Sequence, residues 1–549
     1  MNLFRRKYFT EIIIIISGAL LYIPFLGGVH LFDWDEINFA ESAREMIVTG
    51  DYLTVRINFI PFWEKPPLFI WFQVLSMKIF GINEFAARFP NAVCGILSLL
   101  FIYHTGKKIH DESFGLLWVL AYAGSILPFF YFKSGIIDPW FNLFIFSGLI
   151  YFIFFLETEK PAQRWFRLFT SSVLIGLAVL TKGPVAVLIF GLTVGTYWIL
   201  NKFRLKINAY ELLGYLLVLI LVGGMWFLIQ IFIGNYEVVA DFFTYQLRLL
   251  KSQDAGHGGF ILYHAVILFF GVFPASIFAL KGFRRGYYDD PFQKRFKLWL
   301  IILFLIVFVM FSIVRTKIIH YSSLCYFPIT YFGAYAVSRI INNRTQNYRW
   351  LNIIYSIIGI LYGIAGGLIP FLMMNKNKIL EAGWIKDEFT AGNLQAEVNW
   401  TGYEAVTGLV MIAGIIIALV FMKTRKKLAY TIIFSSSIVW IILNMLIITP
   451  RVEKISQNAL IEFCKDRVGE NCYVETLGMK SYAHLFYTRK ELPLDENSYN
   501  QEWLLTGTID KPVYFILRNR SAVKYRELYP HLKTYEEKNG YVFLKRDIE

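Results

Sequence analysis

The stretch HLFDWDEINFAESARE occupies residues 30–45 and follows an apolar run that begins at Ile12. It places Asp33, Asp35, Glu36, Glu41 and Glu45 at the end of what reads as a membrane-spanning helix. Which side of the membrane these carboxylates face, and what shares that side, decides the reading of the whole chain. The surrounding composition fixes the class. Hydrophobic residues make up 56% of the 549 residues and charged ones only 17%, whereas a soluble chain is roughly a quarter charged. Many apolar runs reach the roughly 20 residues that cross a bilayer core as a helix. This is the pattern of a polytopic α-helical membrane protein.

About thirteen spans are expected, at roughly 12–32, 89–106, 114–132, 138–156, 168–181, 184–200, 211–233, 261–280, 298–314, 321–340, 351–372, 403–422 and 429–449. The first is long and lacks an Ala-x-Ala cleavage site, so it reads as an uncleaved anchor. The net charge of +14 sits in short clusters between apolar runs: Arg5-Arg6-Lys7, Lys107-Lys108, Lys202 to Lys206, Arg284-Arg285, Lys294-Arg295 and Lys423 to Lys427. Such clusters mark cytoplasmic loops rather than a nucleic-acid surface. With Arg5-Arg6-Lys7 inside, alternation puts all the others inside too. The N-terminus is then cytoplasmic and the C-terminus outside, in a multi-pass protein.

The same alternation assigns to the outer, non-cytoplasmic face residues 33–88, the turns at Lys133 and Lys182, the loops 234–260 and 374–400, the turn at 315–320 and everything after Pro450. ATP and nucleotide sugars are cytoplasmic, which excludes them as direct substrates there. Residues 1–449 thus form a membrane domain, with 33–88 its first outer loop, and 450–549 a soluble α/β domain. In the latter, VEKISQNALIEFC has helical spacing, while CYVETLG, PVYFILR and YVFLK read as strands. Cys464 and Cys472 lie in this outer part, where a local disulfide is open to them.

On the outer face, Phe39, Ala40, Ala43, Met46 and Ile47 recur at helical spacing, with Glu41, Ser42 and Glu45 opposite. That predicts an interfacial amphipathic helix whose carboxylates face water. Asp33 and Glu36 have capping-box spacing, and Asp35 is a second candidate cap. Capping accounts for one aspartate, not for two aspartates and a glutamate, so catalysis and capping both stand. In FWEKPPLFIWF (62–72) Lys65 either snorkels to the interface or binds a lipid phosphate, with Glu64 as a partner. Asp138-Pro139 reads first as a helix start, and Lys182 in LTKGPVAVLIF as a snorkelling lysine. Arg248 lies in FFTYQLRLL, followed by His257 and His264, which with a carboxylate would suit a divalent metal. RTKIIHYSSLCYFP (315–328) gathers Arg315, Lys317, His320 and Tyr321 on the face where cations are disfavoured. A charge at mid-membrane costs about 2.5–3.5 kcal/mol, so this gathering points to an anionic ligand, most simply a membrane-borne phosphate.

DWDEINFAESAREM, FWEKPPLFIWF, AARFPNAV, IDPWFNLF, LTKGPVAVL and TKIIHYSSLCYFP occur in the order seen in the bacterial aminoarabinose transferases. Over roughly residues 1–335 the chain resembles that family, integral membrane glycosyltransferases of the GT-C fold related to protein O-mannosyltransferases. The resemblance implies transfer of a sugar from a polyprenyl (undecaprenyl) phosphate carrier to a lipid (lipid A), another glycan or a protein, with inversion. It implies Asp35 as general base, with Glu36 shaping the site and Asp138 assisting at the acceptor. Lys65, Arg248, Lys317 and Tyr321, with Lys182, would hold the departing phosphate. The family links a metal to a histidine shortly before the loop arginine. Tyr245 and Gln246 occupy that region here, leaving Glu64 and His257 as candidate ligands for Zn, Mg or Mn. The rival is a transporter or flippase of a polyprenyl-linked or other anionic lipid, which would carry charges near the mid-plane and repeat symmetry. The sequence shows no repeat.

Overall fold

The computed structural model describes residues 8–251, 259–284, 289–493 and 495–548. A helix occupies each expected span. Among the described residues seven helices are long and apolar enough to cross a membrane, or nine if two bent pairs, Ala209–Gly223 with Met225–Phe232 and Tyr263–Gly271 with Ala275–Gly282, each count once. The other helices in the expected spans are shorter. The first expected span contracts to the helix Phe9–Tyr22, because Pro24 and Gly27-Gly28 break the run. The fifth lengthens to Pro161–Lys182: Pro161 suits the first helical turn, and Arg164 in the polar half pairs with Glu211.

The segment expected as the first outer loop holds the helix Asp35–Thr49, a short hairpin of β1 (Arg56–Ile57) and β2 (Ile60–Pro61), and the helix Leu68–Phe80. The C-terminal unit carries a four-stranded sheet: β3 (Tyr473–Thr476), β4 (Val513–Arg518), β5 (Lys533–Lys538) and β6 (Tyr541–Arg546), in the order β3-β4-β6-β5. β3 and β4 run parallel and the other pairs antiparallel. β3, β4 and β6 are the three expected strands. β5, KTYEEK, is exposed along its whole length and lacks the apolar alternation by which a half-buried strand is recognised. Alternation within β4 serves two cores: Val513, Phe515 and Leu517 pack beneath one face, Tyr514 and Ile516 beneath the other.

The second core joins the C-terminal unit to the first outer loop, with Ile37, Phe39, Ala43 and Met46 packed in one cluster with Leu460, Phe463, Phe486 and Phe543. This overturns the wet-face reading of the helix Asp35–Thr49. Asn38, Glu41, Ser42 and Glu45 are all buried. Arg44 clasps Glu41 at 2.6 and 2.7 Å, and Glu45 accepts the Phe59 amide at 2.8 Å. His484 and Lys490 of the C-terminal unit stand within electrostatic reach of Glu41. Burial, then the neighbouring Glu41, pushes the Glu45 carboxyl up to about 9. An amphipathic pattern marks a polar face without saying whether water or protein polar groups will cover it. Cys464 and Cys472 are free thiols rather than a disulfide.

Candidate active site

Four helix ends bring together residues expected on the outer face. Asp35 and Asp138 are the first residues of the helices Asp35–Thr49 and Asp138–Leu156. Neither helix has a side-chain cap, so these carboxylates do not serve as the caps their positions suggested. Lys182 closes the helix Pro161–Lys182, where Gly183 takes φ 93° and Pro184 precedes the next helix, Val185–Leu200. Glycine is needed there twice over. It adopts a left-handed conformation, and a Cβ would lie 2.7 Å from Phe242 of the helix Tyr236–Lys251, which also carries Arg248. His320 rides on a 3-10 turn, Ile319–Cys325.

Lys182 Nζ donates to Asp138 Oδ1 at 2.6 Å. His320 Nε2 stands between the carboxylates, 3.3 Å from Asp35 Oδ2 and 3.8 Å from Asp138 Oδ2. The side chain of Asp138 is 4% exposed and that of Asp35 33%, so Asp35 is the one presented to a ligand. Lys182 also lies over the Tyr321 ring at 5.2 Å. Lys65, held in the loop before Pro66-Pro67, and Arg248 share another ring: they lie 5.5 and 5.1 Å from the centroid of Tyr245. Burial lowers the Lys65 pKa, and the Lys182 charge lowers it further, against the opposing pull of Glu64, Asp35 and Asp138. The arrangement is a partly exposed carboxylate in the charge field of Lys65, with Lys182 on the neighbouring aspartate and Arg248 sharing the Tyr245 ring with Lys65. It suits proton removal beside a developing phosphate charge.

Residues 64–226 match the family model described as dolichyl-phosphate-mannose-protein mannosyltransferase. A protein of Photorhabdus laumondii named undecaprenyl phosphate-alpha-4-amino-4-deoxy-L-arabinose arabinosyl transferase is 24% identical over 374 residues, which are 67% of this chain and 66% of that protein. Its namesake in Pectobacterium atrosepticum is 24% identical over 413 residues, 71% and 72% of the two chains. The crystal structure of ArnT from Cupriavidus metallidurans bound to undecaprenyl phosphate superposes with a TM-score of 0.77, at 18% identity, over 98% of both chains. The chain is similar in sequence to the aminoarabinose transferases. Its fold is their GT-C fold, and the apo form of the same ArnT matches it at a TM-score of 0.76 over 97% of both chains.

Two expected site residues point elsewhere. Glu36 is buried and saturated. It takes the Arg88 guanidinium at 2.7 and 3.0 Å, the Phe32 amide at 2.8 Å and the Gly135 amide. Arg88 in turn donates to the carbonyls of Leu26, Val29 and His30. Glu36 therefore staples the first outer loop to the helix Glu84–Ile109. Lys317 donates to the carbonyls of Phe311, Ser312 and Val314 at 3.1, 2.6 and 2.7 Å. It caps the end of the helix Pro291–Ile313 instead of facing a phosphate.

Of the two metal candidates, His257 lies outside the described residues, and Glu64 sits 3.9 Å from Lys65. His264 is buried against Ser322 at 3.0 Å. Among the described residues no three His, Cys, Asp or Glu side chains are grouped to hold a metal ion. His320, which the sequence placed on the outer face without a role, is the residue that joins the two aspartates. Its position beside Tyr321 in an outer turn was the signal available; the link to Asp35 spans 285 positions and needs the fold.

Proposed function

We propose that this chain is an inverting glycosyltransferase that moves a sugar from a polyprenyl phosphate to an acceptor hydroxyl or other nucleophile at the periplasmic face of the inner membrane. The observation that carries the reading is the partly exposed Asp35 carboxylate, 3.3 Å from His320, on the side of the bundle where Lys65 and Arg248 gather over Tyr245. Asp35 takes the proton of the acceptor. The acceptor atom attacks the anomeric carbon as the bond from that carbon to the phosphate oxygen breaks. The phosphate leaves with the electron pair and is held by Lys65 and Arg248, with Lys182 and Tyr321 alongside. The relatives' names support an undecaprenyl-linked donor and an aminopentose as the sugar. The acceptor is a lipid such as lipid A, another envelope glycan or a protein. The site's charges gather at helix ends on one side of the bundle, as transfer at an interface requires, not along mid-helix positions as a transport path requires.

Mass spectrometry of lipids that co-purify with the protein tests this. Polyprenyl phosphate is expected with the wild type and intact glycosyl-polyprenyl phosphate with Asp35→Asn, its mass giving the sugar. Bulk phospholipid alone on both, together with no release of polyprenyl phosphate from added donor, would overturn the proposal.

A further inference from the structure

We propose that His320 is a positioning residue, which donates its Nε2 proton to Asp35 and so aims the free oxygen of that carboxylate at the acceptor. This deepens the glycosyltransferase reading and rests on it. Nε2 faces Asp35 Oδ2 at 3.3 Å and Asp138 Oδ2 at 3.8 Å. A ring nitrogen between two carboxylates presents a proton, since a lone pair there would be repelled by both. At 3.3 Å the shorter contact is longer than an ordinary hydrogen bond, and catalytic contacts of this length close when the reacting complex forms. Asp138 is withdrawn from solvent and already holds Lys182 through its other oxygen. It therefore touches no acceptor itself. It works through His320, drawing the imidazole toward the aspartates, while Lys182 balances its charge.

The turn that carries His320 is braced from other elements. Ser323 Oγ donates to the His320 carbonyl at 2.5 Å and is itself fixed by Asn142 at 2.7 Å. The adjacent Ser322 is held by His264 at 3.0 Å. The charged groups around the imidazole are Asp35, Asp138, Lys182 and Lys65, with Tyr321 edge-on at 5.4 Å. Tyr131 lies within reach of both carboxylates. A residue so rigidly mounted between base and buried counter-acid serves orientation, the step in which small displacements are most costly.

The test compares His320→Ala with His320→Gln, whose amide N–H reaches the place of Nε2–H without being able to accept or pass a proton. His320→Ala is expected to lower kcat by about tenfold or more with the donor KM unchanged, and His320→Gln to recover most of that loss. A second readout needs no turnover. The antisymmetric carboxylate stretch of Asp35, isolated as an infrared difference between wild type and Asp35→Asn, should shift in His320→Ala and return in His320→Gln. An unshifted band in His320→Ala overturns the proposal, as does wild-type kcat in His320→Ala or a Gln variant as slow as the Ala variant. A band that shifts as expected in a protein that transfers no sugar would uphold the contact with Asp35 and remove the glycosyltransferase reading instead.

Discussion

Lys182 and Asp138 meet at 2.6 Å across the ends of two separate helices, their side chains 15% and 4% exposed. The pair joins the short turn TKGP to the start of the helix Asp138–Leu156, so the two aspartates keep their spacing only while it is made. Removing one partner of a buried pair leaves an uncompensated charge and costs about 3–5 kcal/mol. Lys182→Met should therefore lower the thermal transition in detergent markedly. Lys182→Met with Asp138→Asn should restore most of it while transfer stays weak. An unchanged transition in the single variant would contradict the pairing.

Lys317 gives a sharper contrast, because family resemblance and geometry disagree about it. Its ammonium is spent on three carbonyls at the end of the helix Pro291–Ile313. Lys317→Met should cost stability, at about 1.5–3 kcal/mol for a charged hydrogen bond, and leave the donor KM as it was. Lys65→Met should do the reverse, raising the donor KM with little change in melting. Kinetics with a polyprenyl-phosphate sugar separates the two.

Glu45 makes the contact between the first outer loop and the C-terminal unit sensitive to pH. Its carboxyl is raised by burial and by Glu41 to about 9, so the folded state holds a proton that the unfolded state gives up above the ordinary glutamate value of 4.5. The stabilisation is complete below the unfolded value and is lost as pH climbs through the folded one. Thermal stability should fall between these two values, and Glu45→Gln, which keeps the shape without the charge, should flatten that slope. An identical slope in Glu45→Gln would remove Glu45 as its source.

Arg88 and Glu36 form the other buried pair that organises the site, at 3% and 4% side-chain exposure. Arg88→Met should cost about 3–5 kcal/mol and lower transfer by misplacing Asp35, which neighbours Glu36. Limited proteolysis of the 23–34 segment should quicken at the same time, since Arg88 holds the Leu26, Val29 and His30 carbonyls. Unaltered cleavage would show that the segment is held by other contacts.

What the sequence made legible follows from local physics. Apolar runs and basic loops located the helices, and alternation located β3, β4 and β6. Alternation put Asp35, Lys65, Arg248 and His320 on one face, and only the family resemblance added Asp138, Lys182 and Tyr321 to a common site. The misreadings share one cause: a charged side chain shows its own type in the sequence, but its partner comes from elsewhere in the fold. Glu36 looked catalytic until Arg88, 52 positions away, claimed it. Glu41 and Glu45 looked wet until a unit more than 400 positions downstream covered them, bringing His484 and Lys490. Lys317 looked like a phosphate ligand because nothing in TKIIHY shows the helix end behind it. His320 was visible as an outer-face residue and acquires a role only when the two aspartates are placed on either side of it.

The central claim is that Asp35 removes the acceptor's proton at the moment of transfer. The direct measurement is the single-turnover rate of polyprenyl phosphate release from a glycosyl-polyprenyl phosphate, with wild-type protein and Asp35→Asn in the same liposomes with acceptor. Asp35→Asn is expected to lose about 10²–10⁴-fold, with donor binding intact. Equal rates would contradict it.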